Sequence, residues 1–239
     1  MDVGIKIIYF CGVVVCTYAI FSYWRIQGLV KESQVLISNA RPYVRHVSDT
    51  APRALFLGDS TGVGVGSSRV EDTVAGRFAF AHPELNIENL AVSGKRTADI
   101  VQNVDTIPQG VRYEYVIIQI GGNDIVRFSN TKKLRTDIKY VLKKVRSMSD
   151  KVYLMTSGNV GDAPMLPRPF AFLWEFRTYT VRDLFKEVAD AQGVTYVDLL
   201  IEGENDPFAK DPARYYAKDF FHLSGEGYGL WYAELEKVL

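Results

Sequence analysis

The sequence predicts an α/β fold: a five-stranded parallel sheet covered by helices on both faces, preceded by one apolar helix. Three observations carry this expectation. After Pro52, five short apolar runs alternate with longer stretches of helical periodicity. In front of them, the 18 residues Ile7–Trp24 carry no charge. The composition of the 239 residues, 47% hydrophobic and 23% charged, excludes a disordered, collagenous or coiled-coil chain. Twenty-eight basic side chains against 28 acidic ones leave no net basic character to suggest a nucleic-acid partner.

The apolar run comes first. As a helix it spans about 27 Å, close to a bilayer core of about 30 Å, and Lys6 at its front can reach the interface. Tyr23 and Trp24 fall where interfacial aromatics belong, and Arg25 closes the run. A cleaved signal peptide needs small residues at −3 and −1 of its cut, and Tyr-Ala-Ile-Phe-Ser-Tyr-Trp offers no such site. Residues 1–24 are therefore expected to be an uncleaved transmembrane anchor, with a signal peptide or a core helix as the alternatives. The basic side chains lean only slightly towards a body on the cytoplasmic side, so the face of the membrane stays open. Both cysteines, Cys11 and Cys16, lie inside the run, and the body has none to report its compartment. Residues 25–52 read as a linker or stalk with a turn or two of amphipathic helix, interrupted by Pro42 and Pro52.

Residues 53–239 form the body, with 23 basic and 25 acidic side chains. Strands are expected over 53–58, 87–92, 115–120, 151–156 and 194–199. Helices are expected near 73–82, 96–105, 131–148, 172–192 and 224–238. In 131–148, Leu134, Ile138, Val141, Leu142 and Val145 make an apolar face at helical spacing. Short, continuously apolar strands between helices imply a parallel sheet buried on both sides. Ligands of such sheets bind beyond the carboxyl ends of the strands.

The loops at those ends carry the chemistry. Gly58-Asp59-Ser60-Thr61-Gly62 follows the first run, Ser93-Gly94 the second and Gly121-Gly122-Asn123-Asp124 the third; Asp219-Phe220-Phe221-His222 lies near the carboxyl terminus. A serine hydroxyl needs an imidazole to take its proton, and the imidazole needs a carboxylate to fix its tautomer. Donors must also wait where an oxyanion develops. Ser60, His222 and Asp219 suit the first three roles. The Ser60 and Gly94 amides and the Asn123 side chain suit the last. Gly-x-Ser-x-Gly also fits the nucleophile elbow of α/β-hydrolases, but here the serine follows the first strand and the Asp and His are three apart.

Together the four blocks resemble those of the SGNH (GDSL) hydrolase superfamily, which includes lysophospholipases, thioesterases and carbohydrate esterases. GDS at 58–60 matches the first block, Asn89–Gly94 the second, GGND at 121–124 the third and Asp219-x-x-His222 the last. The resemblance spans residues 53–239. It implies a flavodoxin-like three-layer α/β/α fold, a serine esterase working through an acyl-enzyme, and neither metal nor organic cofactor. It also implies a lipid, thio- or acetyl-ester substrate. A non-catalytic membrane-anchored binding module would be expected to lose the Ser, Asn or His, and this chain keeps all three.

Other residues have plainer expectations. The GVGVG run at 62–66 lacks the lysine of a phosphate loop and is expected to give backbone freedom behind the nucleophile. His46 and His82 have no ligand-spaced neighbours, and Asp59 and Asp124 are expected to be turn and capping groups. The segment 158–174, with its prolines and aromatics, is expected at the same rim. It is either packed into the core under a structured loop, or forms an apolar wall or a surface that touches lipid headgroups.

Overall fold

The computed structural model describes residues 3–201 and 203–239. Helix α1, Val3–Asn39, leads the chain and stands away from the body over its first half. The sheet follows as β1 (Arg53–Gly58), β2 (Asn86–Asn89), β3 (Tyr115–Gln119), β4 (Val152–Met155) and β5 (Thr195–Val197). Between them run α2 (Ser60–Val63), α3 (Val74–Ala81), α4 (Thr97–Asp105), α5 (Gly122–Val126), α6 (Thr131–Arg146) and α7 (Ala171–Ala191). Two short helices, α8 (Pro207–Lys210) and α9 (Pro212–Tyr215), precede α10 (Gly225–Glu236).

All strand pairs are parallel, in the order β2-β1-β3-β4-β5. Ala54 pairs with Ile87 on one side, and Leu57 with Ile118 on the other. Right-handed crossovers then put helices on both faces: α3 packs with α10, and α4, α6 and α7 lie in file. The strands are apolar on both sides because both are covered; Ala54–Leu57 and Val116–Ile118 are fully buried. The expected strands and long helices match this architecture to within a few residues at their ends. The exception is β2, which stops at Asn89. There Asn89 turns its side chain back to accept from the Ala91 amide, while its amide group donates to the Gly62 carbonyl. Strand order reverses between β2 and β3 around β1, which opens a crevice at the carboxyl ends of β1 and β3.

The stretch expected to be a stalk is built differently. The helix runs unbroken to Asn39, and beyond it the chain is stitched to the β2 edge. Arg45 and Ile87 exchange backbone hydrogen bonds of 3.1 and 2.8 Å. The Arg45 guanidinium also donates to the carbonyls of Ala79 and His82, at the open C-terminal end of α3, and to that of Leu85 just before β2. These contacts cover what would otherwise be an exposed sheet edge. The half of α1 beyond Trp24 lies on the body as well. Ser22, Arg25, Ile26, Leu29, Val30, Ser33 and Leu36 form a half-buried stripe at helical spacing. Leu36 and Ala40 pack on Val63, Val65 and Ala91 beside α2.

Candidate active site

Strand β1 ends at Gly58, where an added Cβ would lie 2.1 Å from the Gln119 carbonyl oxygen on β3. Only glycine lets the two strands stay paired while the chain turns into α2. Asp59 caps that helix, its Oδ1 accepting from the Thr61 amide and hydroxyl at 2.9 Å each. Ser60 is thereby the first residue of α2, at the crevice.

The His222 loop meets it from the carboxyl-terminal side. His222 Nε2 is 3.0 Å from Ser60 Oγ, and His222 Nδ1 is 2.6 Å from Asp219 Oδ2. A carboxylate only accepts, so Nδ1 carries the proton; the neutral ring then accepts from the Ser60 hydroxyl at Nε2. The other Asp219 oxygen accepts from the amides of Phe221 and His222 at 3.1 and 3.0 Å. Burial raises the affinity of Asp219 for a proton. The hydrogen bond and charge of His222 and the two amides outweigh burial and hold the carboxyl below its ordinary range. The close approach of the two loops depends on Gly66, with φ at 98°. A Cβ there would sit 2.4 Å from the Leu223 carbonyl oxygen and 3.1 Å from the His222 Cβ. The GVGVG run thus provides the freedom expected of it.

Asn123 lies in the first turn of α5, and its side chain donates to the Lys95 carbonyl at 3.1 Å. That bond uses one of the two amide hydrogens and ties α5 to the loop that carries Gly94, whose φ is 81°. Asn123 lines the same cleft as Ser60 and His222; Gly94 stands in the adjoining loop, outside the residues that line it. Asp124 faces away and accepts from the Thr97 amide and hydroxyl, a capping role like that of Asp59. Asp59 is fully buried, and desolvation pushes its carboxyl up to about 6 against the hydrogen bonds from Thr61.

The cleft encloses about 690 Å³, its open mouth included. Val160, Ala163, Leu199, Phe208 and Trp231 give it an apolar inner wall beside Ser60. The segment 158–174 divides between its two expected roles. Val160, Ala163 and Leu166 are buried, whereas Phe170 and Phe172 are exposed. No group of three His, Cys, Asp or Glu that could hold a metal ion occurs among the described residues.

One residue at the site escapes sequence reasoning. Ser33 of α1 places its Oγ 3.3 Å from His222 Nδ1. The only signal for it is the half-buried stripe itself, a polar residue in register with apolar neighbours on an amphipathic helix.

Solved structures share this fold. A lipolytic protein of the G-D-S-L family from Veillonella parvula aligns with a TM-score of 0.63 at 13% identity, covering 79% of this chain and 98% of that one. An acetylxylan esterase from Geobacillus stearothermophilus aligns at 0.58 and 17%, covering 78% and 93%. A phospholipase A1 from Streptomyces albidoflavus aligns at 0.54 and 14%, covering 80% and 100%. Curated protein sequences give no significant match. Residues 56–230 match the GDSL-like lipase/acylhydrolase family. The strand order and the position of the serine after the first strand agree with this family rather than with an α/β-hydrolase elbow. The chain belongs to the GDSL-like lipase/acylhydrolase family and is a carboxylic ester hydrolase.

Proposed function

We propose that this protein is a membrane-anchored serine esterase that works through an acyl-enzyme, with Ser60, His222 and Asp219 as its triad. The hydrogen-bonded chain from Ser60 Oγ through the imidazole to Asp219 carries the reading. Ser60 Oγ attacks the ester carbonyl as His222 Nε2 takes its proton. The same proton then goes to the leaving alcohol, and water repeats the cycle on the acyl-Ser60 ester. Asp219 keeps the proton on Nδ1 and stabilises the imidazolium. The amides of Ser60 and Gly94 and the free hydrogen of the Asn123 side chain receive the oxyanion. The apolar inner wall favours an acyl group there.

Helix α1 is the anchor. Its stretch from Ile7 to Asn39 is long and apolar enough to cross a membrane, and the most apolar 18-residue window of that stretch has a mean hydropathy of 1.8 and is not buried against the body. The continuation of the same helix onto the catalytic face, where Ser33 meets His222, argues for its retention.

Ser60→Ala is expected to abolish hydrolysis of p-nitrophenyl butyrate and labelling by a fluorophosphonate, with the melting temperature kept. Undiminished turnover by that variant contradicts the mechanism. Fusion of a phosphatase or β-lactamase to the carboxyl terminus reports the side of the membrane.

A further inference from the structure

The rim of the cleft bears an exposed aromatic face next to the point where α1 leaves its apolar run. Phe172 is 60% exposed and Phe176 74%, on the outer side of the first turns of α7. Phe128, 50% exposed, lies on the other side of α7, where its ring is 6.1 Å between centroids from that of Trp174. Phe128 is held there with φ at 50°, a left-handed conformation that a bulky residue adopts only when its surroundings impose it. The surroundings are α7 itself. Trp174 Nε1 donates to the Val126 carbonyl at 3.5 Å, and Arg177 donates to that of Ser129. A strained, exposed Phe128 on one side of α7, with Phe172 and Phe176 exposed on its outer side, points to a contact outside the chain.

Helix α1 identifies that contact. Arg25, directly after Tyr23 and Trp24, donates to the Pro164 carbonyl in the same rim segment. The level at which α1 emerges from an apolar layer is thus the level of the rim. Eight residues further, about 12 Å along the helix axis, Ser33 touches His222. Ile26, Leu29 and Val30 lie half-buried between the two levels, on the face that Arg25 and Ser33 share. The body side of this passage is continuous too, because the Met165 amide donates to the Phe220 carbonyl at 3.1 Å. Arg127 borders the face beside the Gly94 loop, and neither it nor Lys95 pairs with a carboxylate among the described residues.

We propose that this face docks on the bilayer that α1 crosses and that the enzyme draws its substrate, an acyl ester of a membrane lipid, from that bilayer. Phe128, Phe172 and Phe176 enter the headgroup layer, Arg127 and Lys95 meet its phosphates, and the acyl chain passes along the Ile26–Val30 stripe to Ser60. The proposal rests on α1 as anchor and Ser60 as nucleophile, and deepens that reading by naming the source of the ester.

Two measurements on the full chain in vesicles of phosphatidylcholine and phosphatidylglycerol test it. The first is independent of catalysis. With Cys11 and Cys16 replaced by Ser, a fluorophore on Phe176→Cys is expected to be quenched by brominated lipids, and one on the exposed Asp150→Cys, in the loop before β4 at the amino-terminal ends of the strands, is not. Equal quenching at both positions overturns the docking. The second compares rates. Phe172→Ser with Phe176→Ser, neither of which lines the cleft, is expected to lose at least about tenfold on a long-chain ester embedded in the vesicle. Hydrolysis of water-soluble p-nitrophenyl butyrate stays within about twofold. An unchanged ratio of the two rates overturns the bilayer as the source of substrate. A wild type inactive on both esters but quenched at 176 refutes the esterase reading and leaves the docking standing.

Discussion

The Asn123 side chain donates to the Lys95 carbonyl at 3.1 Å, so the loop after β2 sets the orientation of a donor that belongs to the loop after β3. One amide hydrogen is spent on this bond and the other is aimed by it. Asn123→Ala is expected to lower kcat by about 10²–10³-fold with little change in KM, because the donor acts on charge that develops only in the transition state. Asn123→Asp should fare no better, since a carboxylate there donates nothing and repels the oxyanion. Steady-state kinetics on p-nitrophenyl esters reads both.

Asp219→Asn leaves the loop intact but offers the imidazole a donor as well as an acceptor, so the wrong tautomer becomes available. A loss in kcat of about 10⁴-fold is expected. The wild-type carboxyl is held below its ordinary range, so its contribution to stability is present above the unfolded value. That contribution is lost as pH falls through the folded one. Acid unfolding should therefore begin at higher pH in Asp219→Ala than in the wild type, as followed by circular dichroism.

Asp59 has the opposite sign. Its carboxyl is pushed up to about 6 by burial, so the folded state binds a proton that the unfolded state releases near pH 3.8. Stability falls as pH rises between these values, by an amount on the order of 3 kcal/mol for a shift of about two units. Asp59→Asn keeps an oxygen to cap Thr61 and removes the buried charge. The variant is expected to melt higher than the wild type at pH 8 and nearly alike at pH 4. A calorimetric comparison at the two pH values that shows the same difference at both would refute the assignment.

Gly66→Ala places a methyl group 2.4 Å from the Leu223 carbonyl oxygen in a left-handed backbone. Either the His222 loop or the loop behind Ser60 must retreat. A protein that folds with a melting temperature lowered by several degrees and kcat reduced more than KM is expected.

Much of this site is legible in the chain because each block is local. Gly58-Asp59-Ser60 contains its own turn, cap and proposed nucleophile, and Asp219 and His222 meet across a single turn. The strands are readable for a similar reason, since a parallel sheet covered twice leaves runs such as Ala54–Leu57 with no polar face. What escapes is the contact between distant segments. Arg45 looks like any linker arginine until the open end of α3 is beside it. Ser33 reads as a break in an apolar stripe, and only the packing of α1 on the body makes it a neighbour of His222. The exposed Phe170 and Phe172 are likewise indistinguishable in sequence from the buried Val160 and Leu166 of the same segment, because composition does not tell which side of a segment faces out.

If α1 crosses the bilayer as proposed, its unbroken course from the apolar run to the Ser33–His222 contact makes bilayer thickness a variable of the enzyme. The uncharged run of about 27 Å is slightly shorter than an average hydrocarbon core. A thicker membrane draws Trp24 inward and presses the aromatic rim into the headgroups, and a thinner one lets the helix tilt and lifts the rim on one side. Hydrophobic mismatch would then tune access to Ser60 without touching a residue of the triad.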